Sequence, residues 1–158
     1  MQAFTLIELI IVMALLAGFV ALSLPSFSRS FKARGMDQEA TQLLALMEYA
    51  RDEAISQGVP MTVWIAPDTG DYGVAAKESY SGDKSREKTI SLNPDFHFDP
   101  VEASPDASGH IVAAELEPDG TLATESLATL RIVNQSDEGI SLSQMADGSG
   151  YEIVKDQP

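Results

Sequence analysis

From Phe4 to Leu24 the chain runs 21 residues, of which only Thr5, Glu8, Gly18 and Ser23 are not plainly apolar, and Pro25 closes the run. At 1.5 Å per residue a helix of that length reaches roughly 31 Å, enough to cross a bilayer. A cleaved secretory signal has a cationic start and an apolar stretch of about 7 to 15 residues. Met1-Gln2-Ala3 carries no charge and the apolar run is longer, so the segment reads as a membrane helix. Glu8 is its anomaly. A charge at mid-membrane costs about 2.5 to 3.5 kcal/mol, and less near the interface, so this carboxylate asks for a partner.

The rest of the chain has the opposite character. The first 35 residues hold one of the 24 acids and three of the ten bases, which leaves 23 acids against 7 bases from Met36 onward. That acidic surface argues against binding nucleic acid, which needs clustered Lys and Arg to neutralise phosphates. The remaining length suffices for one modest domain with its own core. With no cysteine in the chain, disulfides and thiolate metal sites are excluded.

Beyond Gly35 the residues Ala40, Leu43, Met47, Ala50 and Ala54 recur at spacings of three and four, the stripe of an amphipathic helix. Leu44, Leu46 and Tyr49 widen it, while Gly58 and Pro60 supply a stop, so a helix is expected from about Asp37 to Gln57. Pro25 and Gly35 weaken a helix, yet one long, bent helix of about 50 residues is the preferred reading. After Pro60 the pattern turns to short β-type runs: Met61 to Ala66, Tyr72 to Ala76, Thr89 to Leu92, Ile111 to Leu116, Leu127 to Val133, Ile140 to Leu142 and Tyr151 to Val154. Phe96 and Phe98 alternate as in a further short strand. Turn residues separate the runs, with Pro67-Asp68-Thr69-Gly70-Asp71 suited to a hairpin. The expected class is α+β, a long N-terminal helix whose second half packs on an antiparallel sheet.

If the chain is cut between Ala3 and Phe4, a new α-amine with a reference pKa of about 7.7 to 8.0 appears one helical turn from Glu8. Ammonium and carboxylate can then compensate each other, and between two identical helices such pairing sets an axial offset. The plain alternative is that Glu8 snorkels into the headgroups.

Phe4-Thr5-Leu6-Ile7-Glu8-Leu9, the apolar run and Pro25 resemble the N-terminal segment of type IV pilins and type II secretion pseudopilins, over about Ala3 to Ser30. Counting from Phe4, the aromatic start, the acid at the fifth position and the proline at the twenty-second all coincide. Leu43 to Ile55, then Gly58-Val59-Pro60, strand residues through Trp64 and the Pro118-Asp119-Gly120 turn look like the minor pseudopilins of the GspH/FimT type.

The resemblance implies a type IV pilin-like fold with a leader of residues 1–3, a membrane and assembly helix at 4–24, its amphipathic continuation at 25–57 and a β-rich periplasmic domain at 58–158. By carry-over, Ala3 and Phe4 flank a processing site, Phe4 is N-methylated, Glu8 and Thr5 serve assembly, and Pro25 marks a place where the helix can melt. The implied partners are other pseudopilins or pilins, prepilin peptidase, the inner-membrane assembly platform and membrane lipid. No cofactor and no nucleic acid are implied. The implied location is the bacterial inner membrane, crossed once, with a periplasmic filament after assembly. Two departures stand out. Ala3 replaces the usual Gly before the cut, and the leader has no base, while Arg29, Lys32 and Arg34 lie on the side the family places outside the cytoplasm, against the usual charge bias.

No catalytic constellation emerges. His97 lies between Phe96 and Phe98 and reads as packing, and His110 stands alone. Trp64 reads as core or partner contact. Gly148-Ser149-Gly150 lacks nucleophile-elbow spacing, and no phosphate-binding loop is present. The acids Asp95, Asp99, Glu102 and Asp106, or Asp137, Glu138 and Asp147, could hold calcium, but neither group has the calcium-loop spacing, so solvated acidic loops are expected and no metal site. Three classes follow: a minor pseudopilin of a type II secretion filament, a minor pilin for pilus assembly or DNA uptake, and a membrane-tethered enzyme or binding protein.

Overall fold

The computed structural model describes residues 6–77, 87–99 and 103–155, leaving out the side chains of 20–33. One helix, α1, covers Leu6–Gln57 and runs through both Pro25 and Gly35. The chain divides into two compact units, Met1–Gly35 and Met36–Pro158.

In the second unit α1 buries the expected stripe: Ala40, Leu43, Ala50 and Ala54 are fully inaccessible, with Met36, Leu46 and Met47 nearly so. The helix ends where Gly58 takes the left-handed conformation (φ 66°) and its amide donates to the Ala54 carbonyl at 2.9 Å. Only glycine adopts that conformation at little cost.

Among the described residues eight strands follow, all antiparallel: β1 Met61–Ala66, β2 Asp71–Ala76, β3 Lys88–Ser91, β4 Phe96–Phe98, β5 Ile111–Leu116, β6 Thr129–Asn134, β7 Gly139–Gln144 and β8 Tyr151–Lys155. They form two four-stranded sheets, ordered β3-β2-β1-β5 and β4-β6-β7-β8, where a single sheet was expected. In the β1–β2 hairpin Met61 faces Ala76 and Ala66 faces Asp71, and the Ala66 carbonyl accepts from the Gly70 amide at 2.8 Å. Against β5 the register shifts between Val63 and Trp64: Val63 faces Ala114 and Trp64 faces Val112, so Ala113 is the extra residue of a bulge in β5.

The two sheets and the helix share one core. Tyr72 of β2 meets Phe98 of β4 edge-on, with centroids 6.0 Å apart, and the Tyr151 hydroxyl of β8 donates toward the carbonyls of Leu127 (2.7 Å) and Ala113 (3.2 Å). Both tyrosines are buried, so each aromatic body fills the core while one polar end reaches across the seam. At the margins, Lys77 pairs with Glu115 and Lys155 with Asp37 (2.8 Å).

His97 departs from expectation. Phe96 and Phe98 are buried and His97 is exposed, because successive strand side chains point to opposite faces. It does not pack.

Candidate assembly site

In the first unit, the residues from Leu6 to Phe19 present large apolar side chains in every direction around the helix. Leu6 and Phe19 are each 77% exposed, and even the least exposed of the large ones, Val12, is 44% exposed. A helix that is apolar all round is stable only where lipid or other protein surrounds it. No helix among the described residues is long and apolar enough to cross a membrane. The span expected over 4–24 extends past both ends of the stretch with described side chains.

Glu8 sits in the first turn of α1, exposed at its side. A carboxylate there faces the positive end of the helix dipole, which favours it by about 0.3 to 1 kcal/mol. Nearly three turns further on, a Cβ added at Gly18 would meet nothing within 4 Å, so the helix surface there is open. Of the other expected site residues, Ala3, Phe4 and Thr5 lie outside the described residues. Pro25 lies within α1, and its side chain is outside them too.

The second unit directs its polar groups into structure. Asp106 accepts from the amides of Ser108 (2.7 Å) and His110 (2.9 Å), and these bonds hold its carboxyl below the usual range. Asp119 and Asp147 are lowered the same way, chiefly by the hydroxyls of Thr121 and Ser149. Asp71 is lowered by the hydroxyls of Ser91 and Thr69. Asp106, Asp119 and Asp147 each fasten their own turn, while Asp71 ties β2 to β3 through Ser91.

Arg131 bridges Asp99 (3.0 Å) and Asp137 (3.6 Å), and Asn134 donates to Glu138 (3.0 Å). The acids weighed as calcium ligands are thus spread over separate turns and ion pairs, with Glu102 outside the described residues. Among the described residues no three His, Cys, Asp or Glu side chains converge as a metal site would require.

Trp64 is half-buried. Its indole stacks on the His110 imidazole, with centroids 4.0 Å apart and planes 13° from parallel, while Gly73 lies beneath its other face. Sequence reasoning missed His110 as a partner of Trp64, because the pairing of β1 with β5, which begins just after His110, cannot be read from either run alone. A small cleft of about 90 Å³ lies between the helix and the β7–β8 turn, walled by apolar residues including Met47, Leu116 and Tyr151 with Arg51 at its side.

The family profile described as Type II transport protein GspH matches residues 39–150. No curated protein matches the chain. Among solved structures, the chain is similar to the minor pseudopilin EpsH of the type II secretion system of Vibrio cholerae, with TM-score 0.57 and 12% identity over 79% of this chain and 96% of that one. It is also similar to the type IV minor pilin FimU of Pseudomonas aeruginosa, with TM-score 0.53 and 17% identity over 80% and 91% of the two chains. At such identities the likeness establishes a shared fold.

Proposed function

The chain belongs to the GspH family of type II transport proteins, and from that premise we propose that it is a minor pseudopilin, a structural subunit of the periplasmic filament of a type II secretion system. The role is mechanical and involves no reaction of its own. The run from Phe4 to Leu24 holds the subunit in the inner membrane, crossing it once, with the domain on the periplasmic side. Prepilin peptidase cuts between Ala3 and Phe4, and Phe4 is then N-methylated. The assembly platform next draws the subunit out of the lipid into contact with other pseudopilins.

One observation carries this reading: the apolar surface from Leu6 to Leu16, whose large side chains are all 44% exposed or more. Lipid can cover it before extraction and neighbouring helices afterwards, whereas a simple tether would need only the first. Glu8, with Thr5 beside it, meets the new amino terminus of an adjacent subunit and fixes the axial step. Pro25 removes one helical hydrogen bond and so marks where α1 can stretch during packing.

The test is Glu8→Ala in cells whose export of a secreted protein can be scored. The account expects loss of export and of co-purification with companion subunits while the protein remains in the membrane. Unchanged export would favour a tethered binding protein.

The likeness to FimU supports a second reading, a minor pilin of a type IV pilus that primes assembly or aids DNA uptake. Its acidic domain surface disfavours direct contact with DNA. Gene neighbours separate the two: a secretion ATPase and secretin alone, or these with a retraction motor.

A further inference from the structure

In the second unit α1 carries another stripe, on the side away from the buried one. Gln38, Thr41, Ala45, Glu48 and Asp52 recur at spacings of three and four, and all five are exposed. The stripe ends in two like charges four positions apart, an arrangement that weakens a helix unless a cation lies beside it. Elsewhere in the domain Glu115 pairs with Lys77, Asp37 with Lys155, and Asp99 and Asp137 with Arg131. Neither Glu48 nor Asp52 has such a partner among the described residues. Arg51, the base between them in sequence, is half-buried beside the small cleft and forms an ion pair with neither.

The complementary charges lie earlier on the same helix. Arg29 and Lys32 are three positions apart on α1, and Arg34 is exposed just beyond them. These are the bases that run against the usual charge bias of a membrane segment. Glu48 follows Arg29 by 19 residues, Asp52 follows Lys32 by 20, and Ala45 follows Ser26 by 19. Two parallel copies staggered by that length, about 29 Å at 1.5 Å per residue, therefore set both acids of one beside both bases of the other. The same stagger brings the small residues Ala45 and Ser26 to one level, where two helices can approach to about 8 Å.

We propose that the outer stripe of α1, from Gln38 to Asp52, docks residues 26–32 of a second copy of this chain, with Glu48 and Asp52 taking Arg29 and Lys32. The inference rests on the filament reading above and deepens it. The Glu8 contact spans one helical turn, so the longer stagger joins copies several steps apart and gives the filament a second register. While all copies lie at one depth in the membrane the pairs cannot form; they form once one copy has moved outward by the stagger.

The chain has no cysteine, so introduced ones report a single contact. The test places Ser26→Cys in one tagged full-length copy and Ala45→Cys in another, co-expresses both in cells with an assembling secretion system, and applies a mild thiol oxidant. A disulfide joining the two copies is expected, since facing small positions come within disulfide reach, and none is expected when the assembly ATPase is inactive. Adding Glu48→Lys and Asp52→Lys to the Ala45→Cys copy is expected to lower the yield about fivefold, as for two exposed ion pairs. Adding Arg29→Glu and Lys32→Glu to the other copy then restores the yield to within about twofold. Absence of the cross-link, a cross-link that forms without the ATPase, or one indifferent to the charges would overturn the docking. So would failure of the second pair of reversals to rescue it, combined with loss of that copy from the membrane, which would assign the bases to anionic lipid headgroups. Export scored in the same cells separates the two inferences: export that persists without the cross-link removes this docking alone, whereas export that survives Glu8→Ala removes the filament reading.

Discussion

Gly73 offers the sharpest mutational test of the domain's packing. It lies on β2 opposite Trp64 of β1 and Thr89 of β3. A Cβ at this position would come within 2.6 Å of Trp64 Cζ2 and closer still to the backbone carbonyl of Lys88. The indole can swing aside only by leaving its stack on His110. The carbonyl can yield only if β3 moves away from β2, and Lys88 carries its ammonium 3.3 Å from the centre of the Tyr49 ring on α1, so that contact moves too. Overpacking of this kind typically costs 1 to 3 kcal/mol, and an obstructing backbone atom places Gly73→Ala near the top of the range, at about 2 to 3 kcal/mol. With a urea dependence of about 2 kcal/mol per molar, the unfolding midpoint falls by about 1 to 1.5 M. Trp64 is the sole tryptophan, so its emission reports both the midpoint and the loss of the stack. A variant with the native midpoint and the native emission spectrum would refute the reasoning.

Tyr151→Phe removes the donor to the Leu127 carbonyl, while the Ala113 carbonyl keeps the Leu127 amide at 2.9 Å. The substitution is expected to lower stability by about 1 to 2 kcal/mol in denaturant unfolding, with secondary structure unchanged by circular dichroism. Alkaline pH should act on the same core. Burial raises both Tyr72 and Tyr151 to about 12, above the ordinary value of 10, so the folded state holds their protons more tightly than the unfolded chain does. Stability from this source is complete below about pH 10 and is lost as pH rises toward 12, measurable as a falling thermal midpoint that tracks tyrosinate absorbance.

Much of this fold is legible in the sequence where local rules suffice. β1 and β5 fall on the expected residues, since each is a short, largely apolar run set off by Pro or Gly nearby, and the helix stops at Gly58 for a reason visible in the chain itself. The same period-two alternation that places Phe96 and Phe98 inside requires His97 outside, so reading His97 as packing gave too much weight to its neighbours and too little to strand geometry. The division into two sheets was not legible. Alternation says which face a residue takes and nothing about which strand it pairs with, and the partition depends on contacts such as Tyr72 with Phe98 and Tyr151 with Ala113 that are distant in sequence. The Asp106 turn shows the same limit from another side: its residues suggested a loop, while the stack of His110 on Trp64 appears only once β5 is paired with β1. At the candidate assembly site the sequence carried nearly all the information, because the apolar run and Glu8 are read from order alone.

The central claim is that the apolar helix belongs to a filament subunit released by a cut before Phe4. The most direct measurement is the mass of the N-terminal peptide of the protein recovered from cell membranes. The account predicts a chain that begins at Phe4 with one methyl group on its α-amine; a chain that still begins at Met1, or one cut near Ala21, would contradict it.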